Sequence, residues 1–103
     1  MKVNVVKRKA ASNRALSRVS YELSDIKYLK ELLYEVMILE MSSQTQTYTV
    51  QKAWNILRQD FEDGLFRVYF NGEEYTKLDD ELKIKKENEL VIIKLVMMAG
   101  RLW

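Results

Sequence analysis

The chain carries neither histidine nor cysteine among its 103 residues. Their absence removes the commonest general base, the thiolate nucleophile and the cysteine zinc site together. Carboxylates and lysines remain, but the usual parts of a hydrolase or transferase are missing. The chain therefore reads as a non-enzyme, with no metal site and no cofactor expected. The segment that invites chemistry is "LVMMAGRLW". An apolar strand runs through Met97 and Met98 into the small pair Ala99-Gly100, and Arg101, Leu102 and Trp103 follow. Gly and Ala have little or no side chain, so such a backbone can thread a narrow crevice and adopt angles closed to larger residues. Extended chain covers ~3.3 Å per residue, so Met97 to Gly100 reaches about 13 Å.

A second cluster is electrostatic. Residues 1–21 hold six basic residues, Lys2, Lys7, Arg8, Lys9, Arg14 and Arg18, and no acid. The other residues hold eleven basic and fifteen acidic side chains, a net of −4. The run Lys7-Arg8-Lys9 is either a solvated surface or a basic edge that steers an acidic partner. Aromatics are not interleaved with these cations, which argues against a stacking platform for nucleic-acid bases.

The elements that must position these residues follow from pattern. Hydrophobic residues make up 48% and charged residues 31%, a composition that folds rather than staying disordered. A chain of this length is one domain, here a folded unit over 1–96 followed by a flexible tail over 97–103. No apolar run approaches the ~20 residues of a membrane helix, so no membrane partner is expected. The first residues lack the apolar core of a secretory signal, and a reducing, cytoplasmic location is expected.

"KVNVVKR" has the Val content of a strand, and in "LSRVSYEL" Val19, Tyr21 and Leu23 alternate with Arg18, Ser20 and Glu22. The small, polar "AASNRA" between them makes a hairpin. Ser24 is the expected cap of a helix over 25–41, with Leu29, Leu32, Leu33, Val36 and Met37 on one face. Thr49 is the expected cap of a second helix, in which Val50, Ala53, Trp54, Leu57 and Phe61 keep helical spacing. Gly64 suits a helix end, and Asn71-Gly72 is a strong hairpin-turn signal after the strand "LFRVYF". The polar stretch 76–90 reads as a loop with Leu78, Leu82 and Ile84 as inward pins. "LVIIKLVMM" is apolar at nearly every position, as a central strand is. Fold class is α+β: a mixed sheet with helices on one face, and the last strand beside the first and parallel to it. That arrangement is the β-grasp.

"VYFNGEEY" and "KLDDELKIKKENELVIIKL" resemble the second half of the MoaD/ThiS group of ubiquitin-like proteins, with Leu78, Asp79, Leu82, Glu89 and Val91 in register. Ala99-Gly100 falls where that group has Gly-Gly. The resemblance covers the last forty residues and is topological elsewhere. It departs from the group in Ala99, in the residues beyond Gly100 and in the helix at 50–61. It implies a modifier or sulfur carrier whose C-terminal glycine is exposed by proteolysis, adenylated by an activating enzyme, and then thiocarboxylated or joined to a target lysine. Implied partners are an adenylating enzyme, a JAB-type metallopeptidase that removes Arg101, Leu102 and Trp103, and a target protein or sulfur-accepting enzyme. Lys7, Arg8, Lys9, Met97 and Met98 are the expected partner-binding residues. The alternative is a non-covalent interaction module, with Leu102 and Trp103 folded back on an apolar surface.

Overall fold

The computed structural model describes residues 1–10, 15–42 and 49–95. Chain order is β1 (Lys2–Lys9), β2 (Ala15–Glu22), α1 (Leu29–Ser42), α2 (Val50–Glu62), β3 (Phe66–Phe70), β4 (Glu73–Tyr75) and β5 (Asn88–Lys94). The five strands form one mixed sheet in the order β2-β1-β5-β3-β4. β1 and β5 run parallel at its centre, and every other pairing is antiparallel. The expected adjacency of first and last strands is therefore present, and the apolar β5 is covered by neighbours on both sides.

Alternation along the strands decides which side chains meet the helices. Val3, Val5, Val68, Phe70, Leu90 and Ile92 point to one face and join a single core with α1 and α2. From α1 come Leu29, Leu32, Leu33, Val36 and Met37, each no more than 1% exposed. Burial of such a side chain contributes about 2 kcal/mol. α2 adds Ala53, Leu57 and Phe61, while Trp54 is only half-buried at its margin.

Three local expectations are corrected. α1 starts at Leu29 rather than residue 25, and Ser24 does not cap it. The stretch before it is not helical and is held by a bridge between Tyr28 and Glu81 and a bond from Leu82 N to the Lys27 carbonyl. The free N–H groups of Leu29 and Lys30 donate to the carbonyls of Asp80 and Leu78, both at 2.9 Å. Glu31 reaches back to accept from the backbone N–H groups of Tyr28 and Lys27, as in a capping box. These bonds hold its carboxyl below the ordinary carboxylate range. Ser24 spends its hydroxyl and N–H on Glu35 instead. Ile84 is 43% exposed and pins nothing, whereas Leu82 is buried. Val50 also faces solvent, at 41% exposure, because the first turn of α2 overhangs the core.

Other local readings match the structure. The Thr49 hydroxyl accepts from Lys52 N at 3.1 Å and caps α2. Gly64 has φ +74°, and the β3–β4 turn places Asn71 and Gly72 at φ 51° and 83°, the left-handed pair of a tight hairpin.

Candidate functional site

The site of interest is the end of β5, the strand that precedes residue 100 in the sequence. That strand end is fixed on both sides. Ala10 N donates to the Lys94 carbonyl at 2.8 Å, and Leu95 N donates to the Leu65 carbonyl at 3.0 Å. Met97, Met98, Ala99, Gly100, Arg101, Leu102 and Trp103 lie outside the described residues.

A charged cluster sits beside this strand end on the helix face. Lys7 Nζ donates to Glu40 Oε2 at 2.8 Å, and the two side chains are only 14% and 10% exposed. Lys94 lies close by. Burial, and then the neighbouring Lys7 ammonium, push its pKa below that of a free lysine, while Glu40 opposes the shift. Tyr21 adjoins the same cluster. Burial and the Glu40 charge raise its phenol above the ordinary value.

The structure separates the expected basic run. Lys7 points to the helix face and pairs with Glu40. Arg8 points to the opposite face, where its Nε is buried and has no hydrogen-bond partner among the described residues. Lys9 is exposed at the end of β1, paired in the ladder with Lys94. The three residues share a strand end but not a surface, because neighbours on a strand alternate.

Two structural residues here were not singled out from the sequence. Glu40 falls three and four residues after Met37 and Val36, so an acid on the apolar stripe of α1 is the signal for its burial. Asn88 is 3% exposed and opens β5. Its Oδ1 accepts from Lys85 N at 2.8 Å and from Asn71 Nδ2 at 3.0 Å, and its Nδ2 donates to the carbonyls of Lys85 and Lys2. Asn71 in turn accepts from Glu89 N at 2.9 Å. The two asparagines tie the β3–β4 turn to the start of the central strand. No sequence pattern marks this pair in advance.

A cleft of about 550 Å³ opens on the helix side, between Trp54 and Phe61 of α2 and the stretch Thr76–Asp79. Lys30 at its edge is held by Asp79 at 2.9 Å. Of the residues expected to bind a partner, the described ones, Lys7, Arg8 and Lys9, do not line it. Among the described residues no cluster of carboxylates is grouped to hold a metal ion, and no helix is long and apolar enough to cross a membrane. No protein-family model and no curated protein sequence matches this chain.

Proposed function

We propose that the protein is a β-grasp, ubiquitin-like modifier or sulfur carrier that works through the segment beyond β5. The observation that carries this reading is the sheet order β2-β1-β5-β3-β4 with a parallel central pair. In it the central strand of the sheet, paired along both edges, is the one that precedes Ala99-Gly100 in the sequence. The β3–β4 hairpin at Asn71-Gly72 and the buried Leu82 in the loop before β5 support the reading, since the motif resemblance calls for both.

In this reading a peptidase of the JAB metallopeptidase type cleaves after Gly100 and releases Arg101-Leu102-Trp103. The new Gly100 carboxylate enters the nucleotide site of an adenylating enzyme and attacks the α-phosphorus of ATP. Pyrophosphate leaves and an acyl-adenylate forms. A sulfur donor or a target lysine then displaces AMP. Ala99 and Gly100 suit that passage because they add almost no width to the backbone. Nothing in this sequence of steps requires a catalytic side chain on the chain itself.

The experiment compares protein ending at Gly100 with protein that keeps Arg101 to Trp103, each mixed with the adenylating enzyme of the same cells and ATP. The shorter form exchanges pyrophosphate and forms an adenylate. The longer form does so only after the peptidase is added. A short form that is inert with that enzyme contradicts the reading.

A second reading, a non-covalent interaction module, is favoured by one observation. On the face of the sheet away from the helices, Arg8 Nε has no hydrogen-bond partner among the described residues. An active chain that is never cleaved at Gly100 belongs to this second class.

A further inference from the structure

The helix-free face of the sheet has an ordered arrangement of charge. The strand registers place its side chains in rows across the strands. Arg8, Ile93 and Arg67 form one row on β1, β5 and β3. Arg18, Val6, Val91, Tyr69 and Glu74 form the next. Ser20, Asn4 and Glu89 form the third. Val6 is 2% exposed although it lies outside the helix-side core, and Val91, Ile93 and Tyr69 are half-buried around it. Arg67 and Glu89 are exposed, and neither side chain is held in an ion pair among the described residues. Val6 is already covered within the chain, so the accessible apolar band is Val91, Ile93 and Tyr69, with a positive row on one side and a carboxylate on the other.

We infer that this face is a self-association surface whose occupant is a second copy of the chain, related by a two-fold axis running across the strands along the Val6–Val91–Tyr69 row. A two-fold interface must be complementary to itself. Same-face residues recur every ~6.7 Å along a strand, so the arginine row and Glu89 lie about equally far from the Val91 row, on opposite sides. Rotation about that row brings Glu89 of the second copy over Ile93. Arg8 and Arg67 then flank it, each ~4.8 Å away across the sheet. Stacked sheets sit ~10 Å apart, a gap that facing Arg and Glu side chains can span. Both copies gain the same contact, and the two apolar bands meet between them. An acidic partner of another kind would satisfy the arginines but set Glu89 against like charge.

The same rotation leaves Arg18 opposite Arg18 and Glu74 opposite Glu74 on the edge strands. These are solvated rim positions, where charge has little effect on affinity. Only the half-buried Val91, Ile93 and Tyr69 and the polar side chains around them remain to be covered, which places the interface at the lower end of the specific size range. The dimer is therefore a weak one that dissociates in the micromolar range.

The test is sedimentation equilibrium of the full chain from ~1 to ~500 µM, with two charge reversals at exposed positions, Arg67→Glu and Glu89→Lys. The parent chain shows a monomer–dimer equilibrium that shifts toward monomer with added salt. Each variant alone weakens self-association at least tenfold, with circular dichroism unchanged. A mixture of the two recovers a dimer. In it the carboxylate introduced by Arg67→Glu on one copy faces the ammonium introduced by Glu89→Lys on the other, while the native Arg67–Glu89 contact persists across the axis. A parent chain that stays monomeric throughout overturns the proposal. So does a dimer indifferent to both reversals, or a mixture that fails to pair.

Discussion

Replacing Glu40 with Leu removes the acid from the cluster beside the end of β5. Lys7 is left with 14% of its side chain exposed and without the carboxylate that accepts from it at 2.8 Å. Lys94, already disfavoured as a cation by burial and by Lys7, loses the one charge that opposes this shift. Breaking a buried pair by removing one partner costs about 3–5 kcal/mol, because the remaining ion keeps its desolvation penalty. Residual exposure of both groups places this pair at the lower end, about 3 kcal/mol. For 103 residues the unfolding entropy is about 0.2 kcal/mol/K, so the midpoint should fall by about 14 °C. The double variant Lys7→Met with Glu40→Leu removes both charges and replaces them with apolar groups of similar size. It should recover most of the loss. The assay is urea and thermal unfolding followed by fluorescence, with the parent, Lys7→Met, Glu40→Leu and the double variant compared as a cycle. A Glu40→Leu unfolding free energy within about 1 kcal/mol of the parent would refute the argument. So would a double variant less stable than Glu40→Leu.

Other expectations follow from the same contacts. Asn88→Ala leaves Lys85 N and Asn71 Nδ2 without their acceptor, and should cost about 2–4 kcal/mol in chemical unfolding. Trp54 is half-buried, with its ring 5.4 Å from that of Tyr34, so Trp54→Ala should cost about 2–3 kcal/mol rather than the larger loss of a fully buried indole. Gly64→Ala meets no atom within 4 Å but forces a side chain to φ +74°, so about 1 kcal/mol should be lost from backbone strain alone. Lys94 has a folded pKa below 10.5, so between the two values the unfolded chain binds more protons and stability rises with pH. Lys94→Met should abolish that rise. The raised Tyr21 phenol acts in the opposite sense above pH 10.0, where the folded chain keeps the proton longer and stability falls.

The framework is legible in the sequence wherever one local signal suffices. Thr49, Gly64 and Asn71-Gly72 mark a cap, a helix end and a turn through their own backbone preferences. The apolar "LVIIK" identifies the central strand because both of its edges are paired. The start of α1 is not legible. Ser24 has the right chemistry for a cap, but the carbonyls of Leu78 and Asp80 take that role from about fifty residues away. Ile84 misleads for a related reason, since the 76–88 loop turns on the Asn71–Asn88 bonds and not on apolar periodicity. The basic run at 7–9 looks continuous in sequence, yet strand alternation gives Lys7 to Glu40 and Arg8 to the open face. Glu40 itself is visible only as an acid on an apolar stripe.

The central claim concerns the chain beyond β5, and the mass of the protein in its own cells tests it most directly. Intact mass spectrometry of material purified from those cells should find a species ending at Gly100, lighter than the sequence through Trp103 by Arg101, Leu102 and Trp103. A fraction of it should carry sulfur in place of one carboxylate oxygen or be joined to another protein. A chain that always retains residues 101–103, in cells where its adenylating enzyme is active, would contradict the account.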